Sequence, residues 1–335
     1  MLNQSLQILK QMQYPTGLFA ASRMTVKTGY NLAWIRDNVY TAIGLEAVQK
    51  NISVKKIFRA LLDILLKHEY KIDWAIKEKP KHHYQYIHAR YDPVTMEEIW
   101  EQWGNKQNDA IGALLFKIGD LEQKKIKIIR NEDDLRILQK LVYYLQSIEY
   151  WQDKDNGMWE ENEEVHASSI GACVAGLKKI KNIVDVPKDL IKKGEIALNK
   201  LFPRESETKE VDMALLSLIY PYNIVGKEQR NIILKNVEEK LVKEKGVIRY
   251  IGDKYNYRNG EAQWTKGLPW LAIIYKQMNK PDKYAFYMRK TIEAMNEKGE
   301  LPELYYADGN EYNENCPLAW SQALYIASLK VKHGN

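Results

Sequence analysis

The sequence predicts an all-α fold, an (α/α)6 toroid or barrel of six helical hairpins, with residues 1–335 forming a single domain. Three observations lead there. Apolar residues recur at helical spacing in twelve stretches, with little that alternates with period two. Every second stretch is richer in Ala, Gly and other apolar residues, whereas the stretches between carry most of the Lys and Glu, the pattern of inner and outer helices. Polar and aromatic residues cluster at or just before the starts of the inner stretches, so inner helices running parallel around a ring bring all the clusters to one end.

The twelve helices are predicted at 2–13, 34–49, 53–68, 107–119, 134–149, 166–181, 185–201, 209–220, 226–242, 261–278, 281–297 and 317–331. The second of each pair, beginning near 34, 107, 166, 209, 261 and 317, is the inner one. Outer faces read as solvated where lysines mix with acids, as in "KKIKNIVDVPKDLIKK". The segments 14–33, 69–106 and 243–260 read as irregular and are rich in Tyr, Trp, Arg and Asp.

Composition excludes several classes. The 335 residues are 45% hydrophobic, enough for a sizeable core. No run approaches about 18 apolar residues, and the start has no basic segment followed by an apolar one, so a soluble, cytoplasmic protein without membrane contact is expected. Cys173 and Cys316 lie in apolar helical patterns and read as buried free thiols. The net charge of +6 is spread among acids, against a nucleic-acid groove. His82, His83 and His88 lack further ligands at suitable spacing, so neither metal nor cofactor is expected.

The clusters carry the chemistry. In "NLAWIRDNVYTAIGLEAV", Arg36 and Asp37 interrupt an otherwise apolar helix beside Trp34. Buried without partners such charges cost several kcal/mol, so they form either a structural ion pair or a pair that bonds a ligand. Fork-shaped donors, carboxylate acceptors and flat aromatic faces suit a sugar, which offers hydroxyls at its edge and C–H groups on its face. "EEIWEQWGNKQNDAIGALL" repeats the set with Trp100 and Trp103, then Gln107, Asn108 and Asp109, the last of which also suits a helix's first turn. "GVIRYIGDKY" adds Arg249, Tyr250, Asp253 and Tyr255, with Trp264 downstream.

Four glutamates follow Trp159 in "MWEENEEVHASS". Read alone, Glu160, Glu161, Glu163 and Glu164 serve the dipole of the helix that follows; read as a site, their crowding against Trp159 raises at least one carboxyl toward neutrality, as a general acid requires. "GELPELYYADGNEYNENCPLAW" supplies a second carboxyl, Glu303, before the last inner helix. Two such loops facing each other across a sugar-shaped pocket form the constellation of glycoside hydrolysis.

From about Gly17 to Leu329 the motifs resemble, in order, glycoside hydrolase family 15, the glucoamylase family, whose catalytic domain is an (α/α)6 barrel. The resemblance implies that Trp34, Arg36 and Asp37 hold the terminal glucose, and that Trp103, Gln107 and Asp109 belong to the substrate site. It implies that Glu160 is the general acid with Trp159 beside it in the substrate site, that Glu161 holds the neighbouring sugar, that Arg249 and Tyr250 line the pocket, and that Glu303 activates water. Leu304 stands where the family commonly has Gln or Glu, and Glu163 and Glu164 lie outside its motif. An inverting, exo-acting hydrolase of short α-glucosides is the expected activity, with an oligosaccharide or α-glucoside as its partner. A similar domain occurs in phosphorylase kinase regulatory subunits, so a non-catalytic binding module and a hydrolase of another linkage, such as trehalose, are the alternatives.

Overall fold

The computed structural model describes residues 1–101 and 103–330. Among them are thirteen α-helices: α1 (Leu2–Lys10), α2 (Ile35–Ala47), α3 (Asn51–Lys67), α4 (Glu69–Lys77), α5 (Asn108–Gln123), α6 (Glu132–Ser147), α7 (Ala167–Ile180), α8 (Lys188–Leu201), α9 (Leu216–Ile219), α10 (Lys227–Lys240), α11 (Gly267–Gln277), α12 (Pro281–Glu293) and α13 (Ala319–Lys330). The (α/α)6 expectation holds. Each inner helix touches the next, α2 on α5, α5 on α7, α7 on α9, α9 on α11 and α11 on α13, and α13 closes the ring on α2. Outer helices α3, α6, α8, α10 and α12 each cover the inner helix before them, and α1 covers α13.

Small residues in the inner helices have a steric reason. A Cβ at Gly112 in α5 would lie 2.4 Å from the Ala172 carbonyl carbon in α7, and one at Gly44 in α2 would lie 2.4 Å from the Ala323 carbonyl oxygen in α13. Glycine lets these backbones meet. Gly112→Ala is therefore expected to destabilise the ring by about 1–3 kcal/mol, the cost of overpacking, read as a lower melting temperature. An unchanged melt would mean that the α5/α7 seam relaxes at no cost.

Three differences from the sequence reading matter. Helix α4 lies in the supposed irregular segment; its buried face holds only Lys71, Ile72 and Ala75, too narrow an apolar stripe to show a period, and Lys71 is held by Glu98 at 2.7 Å. The fourth inner helix, expected over 209–220, shrinks to a 3-10 turn (Met213–Leu215) and the single turn of α9. Asp212 caps it through the Ala214 N–H at 2.7 Å, and Tyr220 leaves it in extended geometry because Pro221 follows. Finally, α11 starts at Gly267 rather than near 261, which leaves residues 261–266 free to form part of a strand and reach inward. The last predicted helix ends at residue 331, outside the described residues.

Two short antiparallel ladders brace the end of the ring. β1 (Ala33–Trp34) pairs with β2 (Arg90–Tyr91), and β3 (Gln263–Trp264) pairs with β4 (Leu304–Tyr305). The second ladder sets Trp264 opposite Leu304, and the Thr265 N–H donates to the Glu303 carbonyl at 3.2 Å. Each ladder thus fixes a tryptophan at the entrance to an inner helix.

Candidate active site

A pocket opens at the N-terminal end of the inner helices, with about 480 Å³ of space counting its mouth. Trp34, Arg36 and Asp37 reach it from the start of α2, Trp159 and Glu160 from the loop before α7, and Lys266 from the start of α11. Glu303 and Trp320 reach it from either side of the entry to α13. The parallel-ring argument thus gathers these groups at one end.

The adjacent charges Arg36 and Asp37 are not each other's partners. Arg36 Nη1 donates to Gln107 Oε1 at 2.7 Å and to Asp109 Oδ2 at 3.1 Å, and its Nη2 donates to Glu160 Oε1 at 3.0 Å. Burial opposes its charge, but Asp109, Glu160 and Asp37 together hold it charged. Gln107 and Asp109 stand behind Arg36, buried, and orient it rather than form the pocket wall. Asp37 lines the pocket and accepts no hydrogen bond from a described side chain; burial raises its pKa, against the pull of Arg36 and Lys266.

The four glutamates separate by environment. Helix α7 begins at Ala167, behind His166, with no acid in its first turn, so none of them serves its dipole there. Glu160 sits at φ +65°, a left-handed conformation uncommon outside glycine. The surrounding loop imposes it: Asn156 Nδ2 donates to the Glu161 carbonyl at 2.6 Å, and Asp155 and Glu164 pair through their backbones. Gly104 lies so close that a Cβ there would meet the Glu160 carbonyl oxygen at 2.8 Å, which gives the Trp-Gly pair at 103–104 a steric purpose. Burial pushes the Glu160 carboxyl up to about 7, with Arg36 opposing and Asp37 assisting.

Glu161 points elsewhere. It accepts from Arg249 Nη2 at 2.6 Å, Tyr250 OH at 2.7 Å and Lys209 Nζ at 2.8 Å; despite burial, these partners hold its pKa low. Arg249 also forks onto Asp253, at 2.6 and 2.7 Å. Glu163 pairs with His83 at 2.8 Å, and Glu164 accepts from the Thr208 hydroxyl at 2.5 Å.

Glu303 is fully buried. Its Oε1 accepts from Tyr30 OH at 2.5 Å, and its Oε2 accepts from Asn315 Nδ2 at 2.8 Å and from Asn313 Nδ2. Tyr30 OH is in turn 3.1 Å from Tyr255 OH.

Beyond the inner pocket lies a wider cleft, about 1490 Å³ with its open side, lined among others by Trp103, Tyr84, Trp100 and Glu161. Glu160 lines both cavities. Trp103 meets Trp34 edge-on at 5.9 Å, and the Arg90 guanidinium lies 5.2 Å from the Trp34 ring and 4.4 Å from the Trp103 ring. Of the sequence candidates, Trp34, Arg36, Asp37, Trp159, Glu160, Arg249 and Glu303 line the inner pocket, Trp103 and Glu161 line the outer cleft, and Tyr250 supports Glu161.

Sequence reasoning missed Tyr30, Lys266 and Trp320. Trp320 carried a usable signal, being the aromatic at the first turn of an inner helix as Trp34 is at the start of another. Tyr30 and Lys266 carried none, because their roles arise from loops meeting across the ring.

A ring of six helical hairpins with an aromatic-walled pocket at one end, holding forked cations and carboxyls, defines the class of (α/α)6 toroids with a polar pocket at the helix N-termini. Within that class the family is shown: the family model for glycosyl hydrolases family 15 matches residues 1–328, and the chain belongs to that family. Likenesses to four known proteins add to this. The liver isoform of phosphorylase b kinase regulatory subunit alpha from Takifugu rubripes is 25% identical over 90% of the chain, and the probable alpha subunit from Drosophila melanogaster is 26% identical over 98%. The chain spans less than a third of the length of these curated relatives, 30% and 32%. Among solved structures, a wild-type glycosidase superposes with TM-score 0.82 at 18% identity, covering 98% of this chain and 94% of that one. The glucoamylase from Saccharomycopsis fibuligera superposes with TM-score 0.70 at 14% identity over 98% and 94% of the two chains. Among the described residues no helix is long and apolar enough to cross a membrane.

Proposed function

We propose that this protein is an inverting, exo-acting α-glucoside hydrolase that releases glucose from the non-reducing end of short α-glucosides, with Glu160 as general acid and Glu303 as general base. One observation carries the reading. Glu160 stands where the inner pocket meets the outer cleft, while Glu303 belongs to the inner pocket alone. A bond between an inner sugar and an outer leaving group would lie beside Glu160, with Glu303 reaching only the inner sugar. A pocket closed at its inner end admits chain ends, which favours exo action. The carboxyl environments also suit the division of labour: burial keeps Glu160 protonated up to about pH 7, and Glu303, bonded by three donors, is held as an acceptor.

Glucose release from maltose, isomaltose, trehalose, kojibiose and maltotriose by the purified protein tests the activity and its linkage. No release from any of them would favour a second reading, a sugar-binding regulatory domain, which the likeness to the alpha subunits named as regulatory supports.

Arg36→Ala and Asp37→Ala are expected to weaken sugar binding by roughly 10-fold or more, as for hydrogen bonds to charged groups, and to abolish the rise in melting temperature that glucose gives the wild type. Asp37→Ala should still fold, because Asp37 has no described side-chain partner to strand; Arg36→Ala also strands the buried Asp109 carboxylate and is expected to lower stability by about 3–5 kcal/mol beside its effect on binding. Variants that unfold, alongside a wild type that glucose does not protect, would make the two residues structural.

A further inference from the structure

We propose that Lys266 is a specificity-determining residue which, together with Asp37, reads hydroxyls of a neutral sugar in the inner pocket, the ammonium donating and the carboxylate accepting. The inference rests on the pocket being a sugar site. Lys266 immediately precedes α11, and its side chain is almost wholly buried, 3% exposed. Its Nζ lies 4.0 Å from the Trp320 ring centroid, 4.3 Å from that of Trp264 and 4.5 Å from that of Trp159. Three indole faces stabilise a cation but accept none of its three N–H donors as an oxygen would.

Among the described residues Lys266 Nζ forms no ion pair within 4.0 Å and no hydrogen bond, yet the residue lines the pocket. Asp37 lines the same pocket and is likewise without a described hydrogen-bond donor. Two groups of opposite charge therefore face one cavity with their bonding capacity unspent. A buried polar group left so costs free energy unless a ligand completes it. Burial lowers the Lys266 pKa against the attraction of Asp37 and Glu303, so a hydrogen-bonding ligand that favours the charged form adds to what these carboxylates do.

A hydroxyl both donates and accepts, and so matches such a couple. A phosphate or carboxylate on the sugar would bring a further anion beside Asp37 and Glu303, and an amino group would bring a further cation beside Arg36 and Lys266. The charges within the pocket thus select an unmodified polyol.

The test uses 4-nitrophenyl α-glucoside, its four monodeoxy analogues and the corresponding α-glucuronide, with wild type and Lys266→Met, which keeps the length and apolar body of the side chain. For the parent glucoside, kcat/KM is expected to fall by about 10- to 150-fold, the worth of a hydrogen bond to a charged group. For at least one deoxy analogue the same substitution should cost no more than about 3-fold, because the partner hydroxyl is already gone. Equal losses across parent and all analogues would reduce Lys266 to a filler of the tryptophan cage, and glucuronide turnover by wild type matching that of the glucoside would overturn the neutral-sugar selection. If Lys266→Met does not fold, Lys266→Leu, which likewise removes both the donor and the charge, is put through the same series with the same criteria. If wild type hydrolyses no glucoside, the hydrolase reading has failed. Calorimetric binding of glucose and the deoxyglucoses to both proteins then decides the inference by the same coupling.

Discussion

Glu160→Gln is expected to lower kcat on unactivated α-glucosides by at least about 10²-fold, the range of general acid catalysis, while costing far less with α-glucosyl fluoride, whose leaving group needs little protonation. Glutamine preserves the bond from Arg36 Nη2, at 3.0 Å in the wild type, so the lost function is proton donation. Equal damage on both substrates would remove Glu160 from the role. The pH profile supplies an independent reading. Burial raises the Glu160 carboxyl to about 7, so activity that requires its proton should fall as pH rises through about 7, and that limb should vanish in the variant. Stability runs the same way. A carboxyl whose folded pKa exceeds its unfolded one contributes stability below the unfolded value of about 4.3, and that contribution is lost as pH rises through the folded value. Relative to wild type, Glu160→Gln should therefore gain on the order of 1–3 kcal/mol between pH 5 and pH 8, seen in paired denaturant melts.

What could be read from sequence divides along a physical line. The ring was legible because each inner helix buries nearly every side chain, so α2 and α13 are rich in small and apolar residues, and in α2 the charges of Arg36 and Asp37 stand out. Where charge interrupts such a stretch the interruption marks the pocket, and Arg36 and Asp37 were found on that basis, whereas Asp109, found as a charge at a helix entry, stands behind Arg36. The four glutamates could not be sorted by pattern, because their separation depends on a left-handed residue at 160 and on Gly104 pressing from another segment. Lys266 was hidden for a related reason: in sequence it looks like an ordinary helix lysine, and only the late start of α11 turns it toward three tryptophans. The short α9 was misjudged at its start rather than its end: the expected helix stopped at 220, before Pro221, but apolar content says only where the chain is buried, and Asp212 in extended geometry holds the first turn back to Met213.

Glu303→Ala should abolish turnover while sugar binding persists, since the carboxyl that activates water is removed but Arg36, Asp37 and the tryptophan faces stay. In an inverting reaction Glu160 protonates the glycosidic oxygen and Glu303 directs one water at the opposite face of the sugar, a single displacement. An α-glucoside must then yield β-glucose first. The alternative is a retaining enzyme, in which the second carboxylate itself attacks the sugar and the first product is α-glucose. The surroundings of Glu303 fix its orientation: Oε1 is engaged by Tyr30 and Oε2 by both Asn313 and Asn315, which leaves a lone pair on Oε1 to accept a proton from water. Proton NMR within the first minutes of reaction, before the anomers equilibrate, distinguishes the two. A leading α-anomer, or turnover by Glu303→Ala within about 10-fold of wild type, well short of the 10²–10⁴-fold that general base catalysis contributes, would take the water-activating role away from Glu303.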